Sequence, residues 1–374
     1  MVRLDELCII NMGQSPDSST YNEDGNGLPF FQGNADFGAT YPVVRMWCSE
    51  PTKRAQIDDI LISVRAPIGA LNIANCECCI GRGLAALTVN KNSCIQKYLW
   101  YALSNKVEEL NSKGTGSTFK AINKKILAET EIPLPSLDEQ RKIAAVLDKV
   151  SDLIAKRRQQ LDKLDELVQA RFVEMFGDPI SNPHKWELQS LSNICKDIYG
   201  GGTPSKSHPE YFEGSIPWIS PKDMKSDIIM DSIDHITEEA VENSSTKMVP
   251  KGAVLMVIRS GILKHTLPVA IAAVELTVNQ DMKAFIVGEN VTAKFLMYYF
   301  RTIEADVLSG VRSVTADNID FKEFQKRMVI LPPIELQNRF DAFVEQTEKT
   351  KTTISESLEK LETLKKALMQ EYFG

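Results

Sequence analysis

Residues 137–176 contain neither glycine nor proline, and their apolar positions fall on one narrow stripe: Ile143, Leu147, Val150, Ile154, Leu161, Leu164, Val168, Phe172 and Met175. Within it Leu147, Ile154, Leu161, Val168 and Met175 recur every seven residues, the spacing of a coiled coil. Pro133 and Pro135 stand before the run, and Gly177 and Pro179 after it, as helix punctuation does. The pattern predicts one helix about 60 Å long, too long for a core helix of an ordinary domain. Residues 334–373 repeat the character, with a stripe of Leu336, Phe340, Phe343, Ile354, Leu358, Leu361 and Leu368. Neither helix buries its stripe alone, so the two are expected to pair. If a pseudo-twofold axis relates the halves of the chain, the pair runs antiparallel. Arg157 and Arg171 interrupt the first stripe, which marks a modest coiled coil.

The remaining segments, 1–136 and 177–331, read as mixed α/β. Ile60–Val64 and Val254–Ile258 are continuous apolar runs of the buried-strand type, and Tyr98–Leu103 and Phe295–Phe300 look like packed helices. The two halves echo each other. Glu174-Met175-Phe176-Gly177 returns as Glu371-Tyr372-Phe373-Gly374, and the same offset of 197 maps Pro135 onto Pro332 and Gln140 onto Gln337. An offset of 188 pairs Leu28-Pro29-Phe30 with Ile216-Pro217-Trp218, and one of 194 pairs Ile60–Arg65 with Val254–Arg259. The order of matches is kept, so the chain is a tandem duplication of a unit of domain size. The expected organisation is a globular domain over 1–136, a helix over 137–176, a second domain over 177–331 and a second helix over 332–374. The expected fold class is α+β: two mixed α/β domains in tandem pseudo-twofold repeat, separated by two long helices forming an antiparallel coiled coil.

Composition narrows the function. The chain has 25% charged and 43% hydrophobic residues, an ordinary globular balance. No apolar run reaches membrane-spanning length, and the start, MVRLDELC, lacks the basic-then-apolar layout of a signal peptide. Six of the seven cysteines fall in the first half and are not repeated in the second, which favours free thiols in a reducing cytoplasm over a disulfide framework. Cys76-Glu77-Cys78-Cys79 has no second ligand pair at zinc spacing. Catalytic signatures are absent from the sequence: there is no Gly-Lys-[Ser/Thr], no HExxH and no GxSxG, and all four histidines lie in the second repeat unit. Asn182-Pro183-His184 lacks the second proline and the aromatic residue of an amino-methyltransferase loop.

What recurs is polar loop chemistry beside basic residues. The stretch 111–125, NSKGTGSTFKAINKK, places Lys113, Lys120, Lys124 and Lys125 beside Ser117 and Thr118 with no acid, a set suited to phosphate. Its copy keeps Arg312 and Ser313. Arg65 and Arg259 end matching strands, where an arginine can make a surface ion pair or contact DNA. After the Leu-Pro-Phe strand, Gln32 and Asn34 match Ser220 and Lys222: a shared framework with different polar side chains, as two readers of different sequences would have. The net charge of −7 does not advertise nucleic acid, so a DNA-binding chain of this kind must gather its basic groups on one face. A non-DNA coiled-coil scaffold presenting two protein-binding domains is the alternative.

The chain resembles, over its whole length, the specificity subunits of type I restriction-modification systems. The resemblance rests on the duplicated plan and on four motifs: Ile132-Pro133-Leu134-Pro135 through Gln140-Arg141-Lys142-Ile143, Met175-Phe176-Gly177-Asp178, Gly201-Gly202-Thr203-Pro204-Ser205 with Ile216-Pro217-Trp218, and Gly116–Lys125. It implies two target recognition domains, each reading one half of a bipartite, asymmetric site in double-stranded DNA. It implies two conserved helices that set the gap between half-sites and dock two methyltransferase subunits, with restriction subunits completing a cytoplasmic prokaryotic complex. Adenine methylation and ATP-dependent cleavage would belong to those partners, which would hold S-adenosylmethionine, ATP and magnesium. The specificity subunit itself would carry no cofactor and no catalytic residue.

Overall fold

The structure, a computed structural model, describes residues 1–116, 120–313 and 317–374, the side chains at positions 312 and 313 excepted. It divides into two compact units, Met1–Arg158 with Ser355–Gly374, and Gln159–Ile354. The two long helices span Leu137–Phe176 and Ile334–Phe373, as the sequence pattern predicts. The division passes through the middle of each, so that each helix gives one half to each unit. The reason lies in where the apolar side chains concentrate. On the first helix, Ile143, Ala144 and Leu147 belong to the core of the first unit, and Val168, Phe172 and Phe176 to that of the second.

In the first unit the strands Cys8–Met12, Leu84–Val89, Ile60–Ser63 and Leu71–Ile73 form an antiparallel sheet in that order. The run Ile60–Ile62 is apolar without a break because both faces of its strand are buried. Ile60 and Ile62 point into the main core, and Leu61 points into a smaller core shared with Phe31, Ile80 and Leu84. A second sheet joins Leu28–Phe31 in parallel to Cys78–Ile80. The same alternation disposes of the cysteine cluster: Cys78 and Cys79 enter different cores. All seven cysteines are free. Among the described residues no cluster of His, Cys, Asp or Glu could hold a metal ion, and no helix is long and apolar enough to cross a membrane.

The second unit repeats this plan. Cys195–Gly200, Met282–Val287, Val254–Val257 and Val269–Ala272 form the equivalent sheet, extended by Ile228–Ile229. Ile216–Ile219 runs parallel to Leu276–Val278, as its counterpart does in the first unit. The helices Gln96–Asn105 and Ala293–Thr302 pack against these sheets at the predicted places.

Inside each unit, halves of the two long helices run antiparallel. In the first unit Ile143, Ala144 and Leu147 share a core with Leu368 and Phe373, and Arg158 Nη2 meets Glu362 Oε1 at 2.6 Å. In the second, Phe172 and Phe176 share a core with Phe340 and Val344, and Lys351 Nζ meets Asp165 Oδ1 at 2.8 Å. Leu147, Ile154 and Val168 are buried, whereas Leu161, Leu164, Ile354, Leu358, Leu361 and Leu368 are half-buried.

The duplicated Phe-Gly ends have duplicated contacts. The Phe176 ring lies 4.9 Å from Phe295, and the Phe373 ring 5.2 Å from Tyr98, the matching position. Gly177 follows at φ +77°, the left-handed conformation that closes a helix, with its N–H donating to Val173 O at 2.8 Å.

At the other end of each helix a glutamine is sealed from water. Gln140 Oε1 accepts from Ile95 N at 2.8 Å, while its amide nitrogen donates to Pro135 O at 2.9 Å and Ser93 O at 3.2 Å. Gln337 repeats the set with Thr292 N at 2.9 Å, Pro332 O at 2.8 Å and Asn290 O at 2.9 Å. Both side chains are fully buried, so no water replaces a lost bond. Gln140→Ala or Gln337→Ala is expected to destabilise its unit by about 3 kcal/mol, taking about 1 kcal/mol for each of the lost bonds. Denaturant unfolding of the full chain checks this, and a loss well under 1 kcal/mol would show that the amide is not the fastening.

Candidate nucleic-acid interface

In the first unit the turn after Leu28–Phe31 is held by one carboxylate. Asp36 Oδ2 accepts from Gln32 N at 2.7 Å and from Gly33 N at 3.4 Å. This presents Gln32 and Asn34 to a cavity of about 410 Å³ that Arg45 and Arg65 also line. Arg65 lies two residues beyond the strand Ile60–Ser63 and pairs across an isolated bridge with Ala121, and Ala66 N donates to Lys120 O at 3.0 Å. The returning end of the lysine loop is thereby tied beside Arg65. The structure thus brings together Gln32, Asn34 and Arg65 around one concavity, with the backbone of Lys120 alongside.

The other lysines differ in their freedom. Lys113 Nζ is engaged by Glu109 Oε1 at 2.6 Å. Lys124 and Lys125 open the helix Lys124–Ala128, which Asn123 caps by accepting from Ile126 N at 3.0 Å. Both are exposed, and Lys125 approaches Glu129 at 3.9 Å. Ser117 and Thr118, and the side chains of Arg312 and Ser313, lie outside the described residues.

The second unit keeps the frame and changes the charges. Asp223 Oδ2 takes the role of Asp36, accepting from Ser220 N at 2.9 Å and from Ser220 Oγ at 2.7 Å. The Ser220 hydroxyl is thus committed to its own turn. Lys222 Nζ donates to Asp234 at 2.6 Å, and that partner pushes its pKa above the usual lysine value. Ser220 and Lys222 line a cavity of about 890 Å³ together with Trp218, Asn279 and Gln280. Trp218 is positioned by its indole N–H, which donates to Gly202 O at 3.0 Å. The triple glycine is a close-approach site: a Cβ at Gly201 would fall 1.8 Å from Asn279 O. Arg259 does not line this cavity and is bound to Asp281 at 2.6 Å.

Residue typing by loop composition misses Arg45, the two organising aspartates and the turn Asn279-Gln280-Asp281. An offset of 187 maps Asp36 onto Asp223 and was the available signal for the aspartates. Nothing local distinguishes Arg45.

Two units of like topology, each with a polar concavity beside the turn after a short strand, make this a tandem two-domain protein. The known protein families agree. Residues 1–166 and 183–365 match the type I restriction modification DNA specificity domain, and the chain belongs to that family. It is 33% identical over 279 residues to the type I restriction enzyme EcoR124I/EcoR124II specificity subunit of Escherichia coli, covering 71% of this chain and 67% of that protein. It is 45% identical over 157 residues to a Methanocaldococcus jannaschii protein described as the type I restriction enzyme MjaX specificity subunit. That match spans 42% of this chain and only 37% of the relative's length. Among solved structures, a chain from work on complex assembly and conformational transition of the type I R-M system superposes with a TM-score of 0.64 at 20% identity, over 100% of this chain and 96% of that one. The type I restriction-modification S subunit from M. genitalium gives 0.60 at 14%, over 100% and 95%. These two likenesses concern the fold.

Asp36→Ala and Asp223→Ala are each expected to cost about 1 kcal/mol, the scale of a lost N-cap. Thermal unfolding checks the size. Amide exchange should quicken at Gln32 and Ser220 while the central strands stay protected, and uniform loss of protection would contradict a local role.

Proposed function

We propose that this chain is the DNA sequence-recognition subunit of a type I restriction-modification complex. Each unit reads one half of a bipartite, asymmetric site, and the two long helices set the gap. The observation that carries this reading is the convergence of Gln32, Asn34 and Arg65 on one concavity, with the lysine loop fastened beside it. The Gln32 and Asn34 amides are side chains that pair bidentately with base edges, and the neighbouring arginine and flanking lysines suit phosphate. Against a net charge of −7, a local basic face of this kind is what a nucleic-acid partner requires.

Methylation and cleavage belong, in this reading, to two methyltransferase subunits and to restriction subunits, which hold S-adenosylmethionine, ATP and magnesium. Val146 and Leu153 on the first long helix are exposed at heptad spacing, off the stripe that enters the core. They offer apolar surface to a docked methyltransferase subunit. The scaffold alternative, two protein-binding domains without DNA, gains support from the total charge alone.

Changing Lys120, Lys124 and Lys125 together to Ala is expected to weaken binding to all duplexes alike. The slope of log K against log salt should become shallower by up to about 2.7, at 0.9 per phosphate contact. Titrations at several salt concentrations measure it. Unchanged affinity and slope would remove the lysine loop from the interface.

A further inference from the structure

The two strand-end arginines occupy equivalent places and differ in what stands opposite. In the first unit Val64 N donates to Gly83 O at 2.9 Å; in the second, Ile258 N donates to Asp281 O at 2.8 Å. Gly83 and Asp281 are therefore structural counterparts, and so are Arg82 and Gln280 just before them. The first unit has no side chain where the second has a carboxylate.

That carboxylate grips Arg259 from one side. Asp281 Oδ1 accepts from Arg259 Nε at 2.6 Å and also meets Nη2 at 2.6 Å. The aspartate is itself locked. Its Oδ2 accepts from Asn279 Nδ2 at 3.3 Å and Gln280 Nε2 at 3.4 Å, and its own N–H donates to Asn279 Oδ1 at 2.9 Å. Gln280 is held in turn by the Thr203 hydroxyl. The guanidinium is thus fixed through its Nε–Nη2 edge, while about half of the side chain (47%) stays exposed. Its other edge, Nη1 with the second Nη2 proton, keeps two parallel N–H donors.

Such an arginine is poorly suited to phosphate, because the carboxylate cancels its charge and repels the anion. It suits a neutral partner with two adjacent acceptors. In the DNA major groove that partner is guanine, through O6 and N7. We propose that Arg259, aimed by Asp281, reads a guanine in the half-site of the second unit, whereas Arg65, with Gly83 opposite, is left as a charge for the backbone. This assignment rests on the DNA-reading role proposed above.

The test uses the full chain assembled with its methyltransferase subunits and a pool of duplexes of randomised sequence, selected at two salt concentrations and sequenced. The wild-type complex should select a bipartite motif. Arg259→Ala, Arg259→Lys and Asp281→Asn should each lower the preference for one guanine, in one half-site only, by about tenfold to a hundredfold. The salt slope should not change, and the other half-site should stay intact. Arg259→Lys keeps the charge and loses the fork, so it separates the two kinds of contact, and Asp281→Asn keeps the shape of the turn. If lysine restores wild-type selection while alanine weakens all sequences alike and flattens the slope by about 0.9, Arg259 is a phosphate contact and the assignment fails. It fails also if no variant alters selection. A wild-type complex that selects no motif overturns the DNA-reading role itself, whereas failure of the assignment alone leaves the wild-type motif standing.

Discussion

Each long helix is fastened to a globular core by a glutamine amide that no water reaches. Gln140 and Gln337 each satisfy three backbone groups, one of them just before the long helix and two at the start of a packed helix. An amide side chain is directional, so it sets the angle and register of the helix as well as its attachment. At the far end the fastening is different in kind. Phe176 and Phe373 are sealed among aromatic rings, each burial contributing about 1.5–3 kcal/mol. Hydrophobic burial alone would tolerate sliding by a turn; a buried polar anchor at the opposite end does not. Everything proposed about spacing depends on helices held in this way.

On that fixed frame the polar turns are free to differ. The carboxylates Asp36 and Asp223 fasten equivalent turns, each accepting from the backbone N–H three residues before it. The residues that those turns present are Gln32 and Asn34 in one unit and Lys222 in the other, which Asp234 neutralises. Next to them Gly81-Arg82-Gly83 is replaced by Asn279-Gln280-Asp281. The first unit places Arg45 and Arg65 around its concavity, and the second gathers a hydrogen-bonded polar network. A duplicated fold with diverged turns is a way to read two different words without altering the core.

The helices were legible in the sequence because their pattern is long and periodic, and glycine and proline mark both ends. The strands Ile60–Ser63 and Val254–Val257 were legible as buried runs, though only the fold shows why: alternate side chains enter different cores. Gln140 and Gln337 were visible as a repeat, but nothing local reveals that an exposed-looking glutamine is sealed. Composition placed Lys120, Lys124 and Lys125 correctly on an exposed segment, and it could not show that Glu109 engages Lys113 or that Ser220 caps its own turn. Pairing of this kind depends on residues brought together by folding, and the division of each long helix between two units arises in the same way.

The central claim is that the two helices are the ruler between two readers, and matched lengthening of both tests it most directly. One heptad adds about 10.5 Å, roughly three base pairs of rise, and keeps the apolar stripe in phase. Heptads inserted after Leu161 and after Leu358 together should leave both half-site words unchanged and lengthen the gap between them, read as methylated adenines across the genome of cells carrying the variant. A changed pair of words with an unchanged gap would contradict the account.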